Sequence, residues 1–347
     1  MNRPNRMRVP RAAAAASVCL LVAGFATEAS AHVKWFCAFD VAGQPRGLEN
    51  VLCPNFEGLV GLAVLLLILG CLVDGTAFGD ALQRALDRVT SVIGADHEIL
   101  IRAVCGFFFV TLWVLEGIIL TPELKTTAPW VPWLQLAIAA GLIWRVTMPL
   151  SGLGIALLYV LAVRDYGIFH LADYPIFLGL AAYLALAGLQ RDLFGLRPLD
   201  VVRYSAAITL MWASIEKWAY PEWSFPLLIE HPAISLGFSD EFFMRAAGMI
   251  EFVLAFSLVW TPLVRRASAI VLAAMFISAT FEFGKLDLVG HAPIVVVLLA
   301  IIADDIRLEQ RTRAFAIAAP LAFCLALAGF LSAYYLAHAA LFGTQIL

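Results

Sequence analysis

The residues best suited to chemistry are acids, lysines and histidines set in or beside long apolar runs. Glu216, Glu251 and Glu282 are the candidate catalytic carboxylates. Lys217, Lys285, His291 and Glu116 are the candidate ligand-binding groups around them. An ionisable side chain inside an apolar run is costly unless it is paired or wet, so its presence points to function. Burial favours the protonated form of a carboxylate, which suits it to exchanging a proton with a bound ligand. Glu251 is nearest the middle of its run and faces the strongest desolvation. The same residues admit a plainer role, in which Glu216, Lys217, Glu282 and Lys285 form ion pairs that lock helix ends.

The histidines raise a second chemistry. His32 follows an Ala-Ser-Ala sequence, Ala29-Ser30-Ala31, that reads as a signal-peptidase site. Cleavage there leaves His32 as the N-terminus, and an α-amine with an adjacent imidazole is a bidentate chelate suited to Cu(II). His170, His231 and His291 are the candidates for a further imidazole, although no His-x-His or Met-rich run accompanies them. Cys37 and Cys53 would share an oxidising compartment, where a disulfide between them would staple a short outer segment. No C-x-x-C occurs, which argues against a thiol shuttle. Cys71, Cys105 and Cys324 fall in apolar runs and read as packing residues. P-loop, GxSxG, HExxH and dinucleotide-binding fingerprints are all missing from the sequence.

These side chains must be positioned by a membrane bundle. A chain that is 62% hydrophobic and only 14% charged, with mean hydropathy +0.89, is not an ordinary soluble domain. Its apolar runs predict an all-α, polytopic transmembrane helix bundle of about ten spans, near 58–73, 99–120, 132–147, 149–164, 174–190, 201–220, 242–260, 265–283, 288–303 and 314–342. The partner this implies is the lipid bilayer. The net charge of −3, without any basic run, gives no sign of nucleic-acid binding.

Residues 1–31 carry Arg3, Arg6, Arg8 and Arg11 ahead of a short apolar stretch, and are expected to be a cleaved signal peptide. The rest divides into an outer segment (32–57), a lead-in helix and polar loop (58–98), a first four-helix unit (99–190), a second (201–303) and a final helix (314–342). Arginines concentrate in alternate loops, with Arg84, Arg88, Arg191, Arg197, Arg265, Arg266, Arg307, Arg311 and Arg313 on one side. By the positive-inside rule that side is cytoplasmic. This places the mature N-terminus and the C-terminus on the outer face of a bacterial-type inner membrane.

The two units follow one plan, a parallel internal repeat. Arg102 and Arg203 open them. Trp113 with Glu116, and Trp212 with Glu216, follow near the far end of the first helix. Trp144 and Trp260 close the second helix, Gly167 and Gly284 follow the third, and Pro175 and Pro293 open the fourth.

The stretch from Val201-Val202-Arg203 to Glu216-Lys217, then 246–260, then Gly284 to Gly290-His291-Ala292-Pro293, resembles the DoxX-like family of integral membrane proteins. The first unit resembles it less closely, with Glu116-Gly117 where the second has Glu216-Lys217. The resemblance implies four-helix units and an association with quinone-linked oxidation, thiol or oxidative-stress handling, or scaffolding of redox partners. It also implies that Glu216, Lys217 and Glu282 line a pocket. The signal sequence, the outer segment and the duplication depart from the family pattern.

The leading expectation is a redox-associated membrane subunit with an outward acidic and histidine-bearing pocket. Its ligand would be quinone-like or a small reduced molecule, and a membrane or periplasmic redox partner would act with it. A transporter or copper-handling protein that uses His32 is the alternative, and a non-catalytic scaffold is a third. Enzymatic activity is left open by the sequence.

Overall fold

A computed structural model of the chain describes Lys34, residues 37–307 and residues 313–346. The expected signal peptide and His32 lie outside the described residues. Thirteen helices run through the rest, with no strand among the described residues. They are α1 (Leu48–Val51), α2 (Pro54–Asp74), α3 (Ala77–Leu115), α4 (Val131–Gly141), α5 (Met148–Tyr166), α6 (Ile168–Leu171), α7 (Pro175–Leu189), α8 (Pro198–Ala219), α9 (Phe225–Glu230), α10 (Asp240–Ser257), α11 (Pro262–Phe283), α12 (Lys285–Ile302) and α13 (Arg313–Phe342).

Local sequence sets most of the boundaries. Proline stands in the first turn of α2, α4, α5, α7, α8 and α11, where its missing N–H costs nothing. Thr76 and Ser239 cap α3 and α10 by accepting the backbone N–H of Gly79 and Phe242. Gly167 and Gly284 end α5 and α11 with φ of 84° and 81°, a region that a side chain disfavours. Each turns the chain straight into the next helix.

Among the described residues six helices are long and apolar enough to cross a membrane, so the chain is a multi-pass helical membrane protein. Their outward faces are bare leucine and valine, such as Leu62, Leu65, Leu66 and Leu69 on α2 and Leu150, Leu153, Leu157 and Val160 on α5. The expected ten spans are met less completely. The run at 132–147 yields only the 11 residues of α4, about 16 Å of helix, because the chain turns at Leu142–Trp144 and re-enters helix through the 3-10 turn Arg145–Thr147. Likewise the run at 99–120 stops at Leu115, and the backbone of Glu116 turns left-handed with φ 49°. Helices α8 and α10 correspond to expected spans but carry several charges.

Helix α3 joins the polar loop and the following span into one 39-residue rod, kinked at Asp96. Packing runs α3–α4–α5–α7 and α8–α10–α11–α12. These two series join at both ends, with α7 lying on α8 and α12 on α3. A Cβ on Gly179 would collide with Ser205, so that glycine sets the close approach of α7 to α8. Helices α2 and α13 pack on each other outside this set, and both touch α10.

Arginines hold one end of the bundle. Arg102 donates to the carbonyls of Leu142 and Ile143, just past α4. Arg203 donates to that of Leu258, just past α10, at 2.8 Å. Arg145 reaches Ala187 in the last turn of α7, and Arg266 reaches Ile302 at the end of α12. Helix C-termini present carbonyls without partners and a partial negative charge, which guanidinium groups satisfy.

Candidate functional site

A cavity of about 310 Å³ opens at the other end of the bundle. Four carboxylates (Asp173, Glu216, Glu251 and Asp287), two ammonium groups (Lys34 and Lys217) and His291 line it. Its remaining wall is largely apolar and includes Phe177, Leu210, Leu272, Met275, Phe276 and Ile294.

Each charged group reaches the cavity by a different route. Glu216 and Lys217 come from the last turn of α8, and Glu251 from the middle of α10, with Lys217 and Glu251 ion-paired. Asp173 sits between α6 and α7, in the corner that Gly167 begins. Asp287 and His291 share one face of α12, four residues apart, with Nδ1 of the ring 3.0 Å from Oδ1 of the acid. That contact is within ion-pair range, yet neither oxygen of Asp287 has a well-directed hydrogen bond among the described residues.

Lys34 is the unexpected member. It is 5% exposed and donates to both Asp173 and Glu216, the latter at 2.7 Å. Burial alone would lower the pKa of this amine, but the two carboxylates outweigh that and raise it above the ordinary lysine range. Its ammonium also lies 5.7 Å from the Trp223 ring centre and 5.8 Å from that of Phe39. The segment that carries Lys34 is pinned farther along. Tyr220 Oη donates to Gly43 O at 2.7 Å, and His338 Nε2 bonds Val41 O at 2.8 Å. Arg46 bridges Glu222 and Glu241.

Several expected site residues stand elsewhere. Glu116 is exposed just beyond α3 and is not among the lining residues, because the helix unwinds before bringing it inward. Lys285 is exposed at the first position of α12. The side chain of Glu282 lies outside the described residues. His170 is buried between the rings of Phe39, Tyr166 and Tyr174, and burial pulls its pKa down to about 4, with Lys34 pushing the same way. His231 packs its ring against Phe283. Among the described residues no group of three or more His, Cys, Asp or Glu is arranged to hold a metal.

Cys37 and Cys53 are free thiols, not the expected disulfide. Cys53 is fixed as the N-cap of α2, whereas Cys37 lies beside Leu227 and within the field of Glu230. Glu123, in the loop after α3, is half-buried. Burial raises its pKa, and a hydrogen bond from Tyr174 only partly offsets this.

Of the expected residues, Glu216, Lys217, Glu251 and His291 line the cavity, whereas Lys34 lines it without having been expected. The available signal was a lone cation inside the apolar stretch Val33-Lys34-Trp35-Phe36. Asp173 and Asp287 carry no sequence signal beyond being acids next to apolar runs. No family model, curated protein or solved structure matches this chain.

Proposed function

We propose that this protein is a redox-associated inner-membrane subunit that binds a small quinone-like ligand in its acidic cavity and exchanges protons with it. The supporting observation is the convergence of Glu216, Lys217, Glu251, Asp287 and His291 on one cavity with an apolar wall. An apolar pocket with a few convergent polar groups is the usual form of a small-molecule site. Its volume of about 310 Å³ suits a single ring headgroup. Lys217 would donate a hydrogen bond to a ring carbonyl, and the Glu251 carboxylate, ion-paired to it, would relay protons that arrive from water on the outer side. Two electrons from a membrane or periplasmic redox partner, with two protons taken up from water on the outer side and relayed by Glu251 and Glu216, would convert the quinone to its hydroquinone.

The reading extends to the architecture. The plan of two parallel four-helix units is supported by the paired arginine caps: Arg102 and Arg203 lie on the first helix of each unit, Arg266 on the third helix of the second, and Arg145 in the turn that leads into the third helix of the first. Helices of four-helix units and the sequence at 201–303 support a DoxX-like relationship. The arginine end would face the cytoplasm and the cavity the outer side.

Binding of a short-chain quinone to the detergent-purified chain, read by tryptophan fluorescence, tests the proposal. Saturable quenching, weakened about tenfold or more by Glu251→Gln and Glu216→Gln, is the expected result. The reading fails if both variants leave every quinone interaction unchanged. A transporter reading draws on a different observation: the cavity takes residues from both units, through Asp173, Ile176 and Phe177 of the first and α8, α10, α11 and α12 of the second. Ligand uptake into proteoliposomes, without any quinone reaction, would favour it.

A further inference from the structure

Lys34 occupies a box that has the composition of an ammonium receptor. Two carboxylates from different units, Asp173 (4% exposed) and Glu216, accept its hydrogen bonds. The faces of Phe39 and Trp223 lie within cation–π range of the same nitrogen. Trp223 is held in place by stacking on Tyr220, with ring centres 4.1 Å apart and planes 7° from parallel. Carboxylates neutralise the positive charge, and aromatic faces attract it without demanding directional hydrogen bonds. The box lies at the cavity, since Lys34, Asp173, Glu216 and Trp223 all contribute to its lining.

The occupant is tethered, but its tether does not depend on the box. Val41, Gly43 and Arg46 fix the segment to His338, Tyr220, Glu222 and Glu241 through contacts of their own. Arg46 N–H also bonds the carbonyl of Ala219 at 2.9 Å. Removal of the Lys34 amine would therefore leave the walls and the strap in place around a vacant, doubly acidic space.

We propose that the box formed by Asp173, Glu216, Phe39 and Trp223 is a binding site for the primary ammonium group of a small amine, filled in this conformation by the chain's own Lys34. Lys34 thereby acts as a tethered competitor at the cavity, and an amine-bearing solute enters the box by taking the place of its ammonium. This site goes beyond quinone binding and does not require it.

The test uses the full chain in detergent, with ethylammonium chloride as the probe and sodium chloride at equal ionic strength as the reference. In Lys34→Ala, ethylammonium should raise the melting temperature and change tryptophan fluorescence saturably. Its affinity should be at least about tenfold tighter than for the wild-type chain, because a ligand that binds only the folded state stabilises it. Adding Glu216→Gln to Lys34→Ala should abolish the effect. Equal ethylammonium affinity in wild type and Lys34→Ala, or an equal response to sodium, overturns the proposal. Should Lys34→Ala fail to fold in sodium, recovery of folded protein only when it is purified in ethylammonium supports the site. Failure in both salts counts against it.

Discussion

Lys34 and Glu216 are 182 positions apart in the chain and 2.7 Å apart in space. Because the same amine also binds Asp173, one side chain of the N-terminal segment joins the corner before α7 to the end of α8. The ammonium thus ties the corner before α7 to the end of α8 at the cavity.

Replacing that amine should destabilise the protein. Lys34→Met leaves Asp173 and Glu216 facing each other without their cation, and breaking a buried ion pair by removing one partner costs about 3–5 kcal/mol. A large drop in the thermal midpoint near neutral pH is expected. Part of the loss should be regained in acid, where protonation removes the uncompensated negative charge. Thermal unfolding at several pH values reads both effects.

Lys217 and Glu251 should behave as an energetically coupled pair. Lys217→Met and Glu251→Gln would each leave the other charge without its partner, whereas the double variant removes both charges. A double-mutant cycle on stability should give a coupling of about 0.5–3 kcal/mol, the range for residues in direct contact. Additive single effects would mean that the two side chains do not interact in the folded protein.

His170 should make the fold acid-sensitive. Burial sets its folded-state pKa at about 4, against an ordinary value of 6.5. Above that ordinary value the ring is neutral in both states and contributes no pH dependence. As the pH falls from about 6.5 towards about 4, the unfolded chain takes up a proton that the native state refuses. Stability should then decline by up to about 1.4 kcal/mol per pH unit. His170→Phe keeps a ring among Phe39, Tyr166 and Tyr174 and should flatten this part of the profile. An unchanged slope would rule the histidine out as its source.

The paired arginine caps should matter unequally. Arg203 is 5% exposed and donates to both Leu258 and Asp200, whereas Arg102 is only partly buried. Hydrogen bonds to charged groups contribute about 1.5–3 kcal/mol each. Arg203→Met should therefore lower the unfolding midpoint more than Arg102→Met does, as measured by thermal scans of the two variants.

Much of the helical framework was legible because its causes are local. Apolar runs, first-turn prolines and the helix-ending Gly167 and Gly284 act over a few residues, and each expected span has a helical counterpart. Two boundaries were misread from hydropathy alone. At Glu116 and at Leu142–Trp144 the chain stays apolar while the backbone turns, and hydropathy does not record a turn. Cys37 and Cys53 were paired on compartment and count, neither of which carries the positions of the two thiols.

The sequence by itself determined that this is a helical membrane protein and that Glu216, Lys217, Glu251 and His291 sit where charge is costly. The tertiary structure alone decided which of them share a cavity. It excluded Glu116, brought in Asp173 and Asp287, and carried Lys34 from the N-terminal segment to Glu216. The physical reason is range: propensity and hydropathy are properties of neighbours in sequence, whereas an ion pair depends on atoms brought close by packing of helices far apart in the chain. Nothing in the residues around Lys34 names its partners, and only the packing of α7 against α8 brings them together.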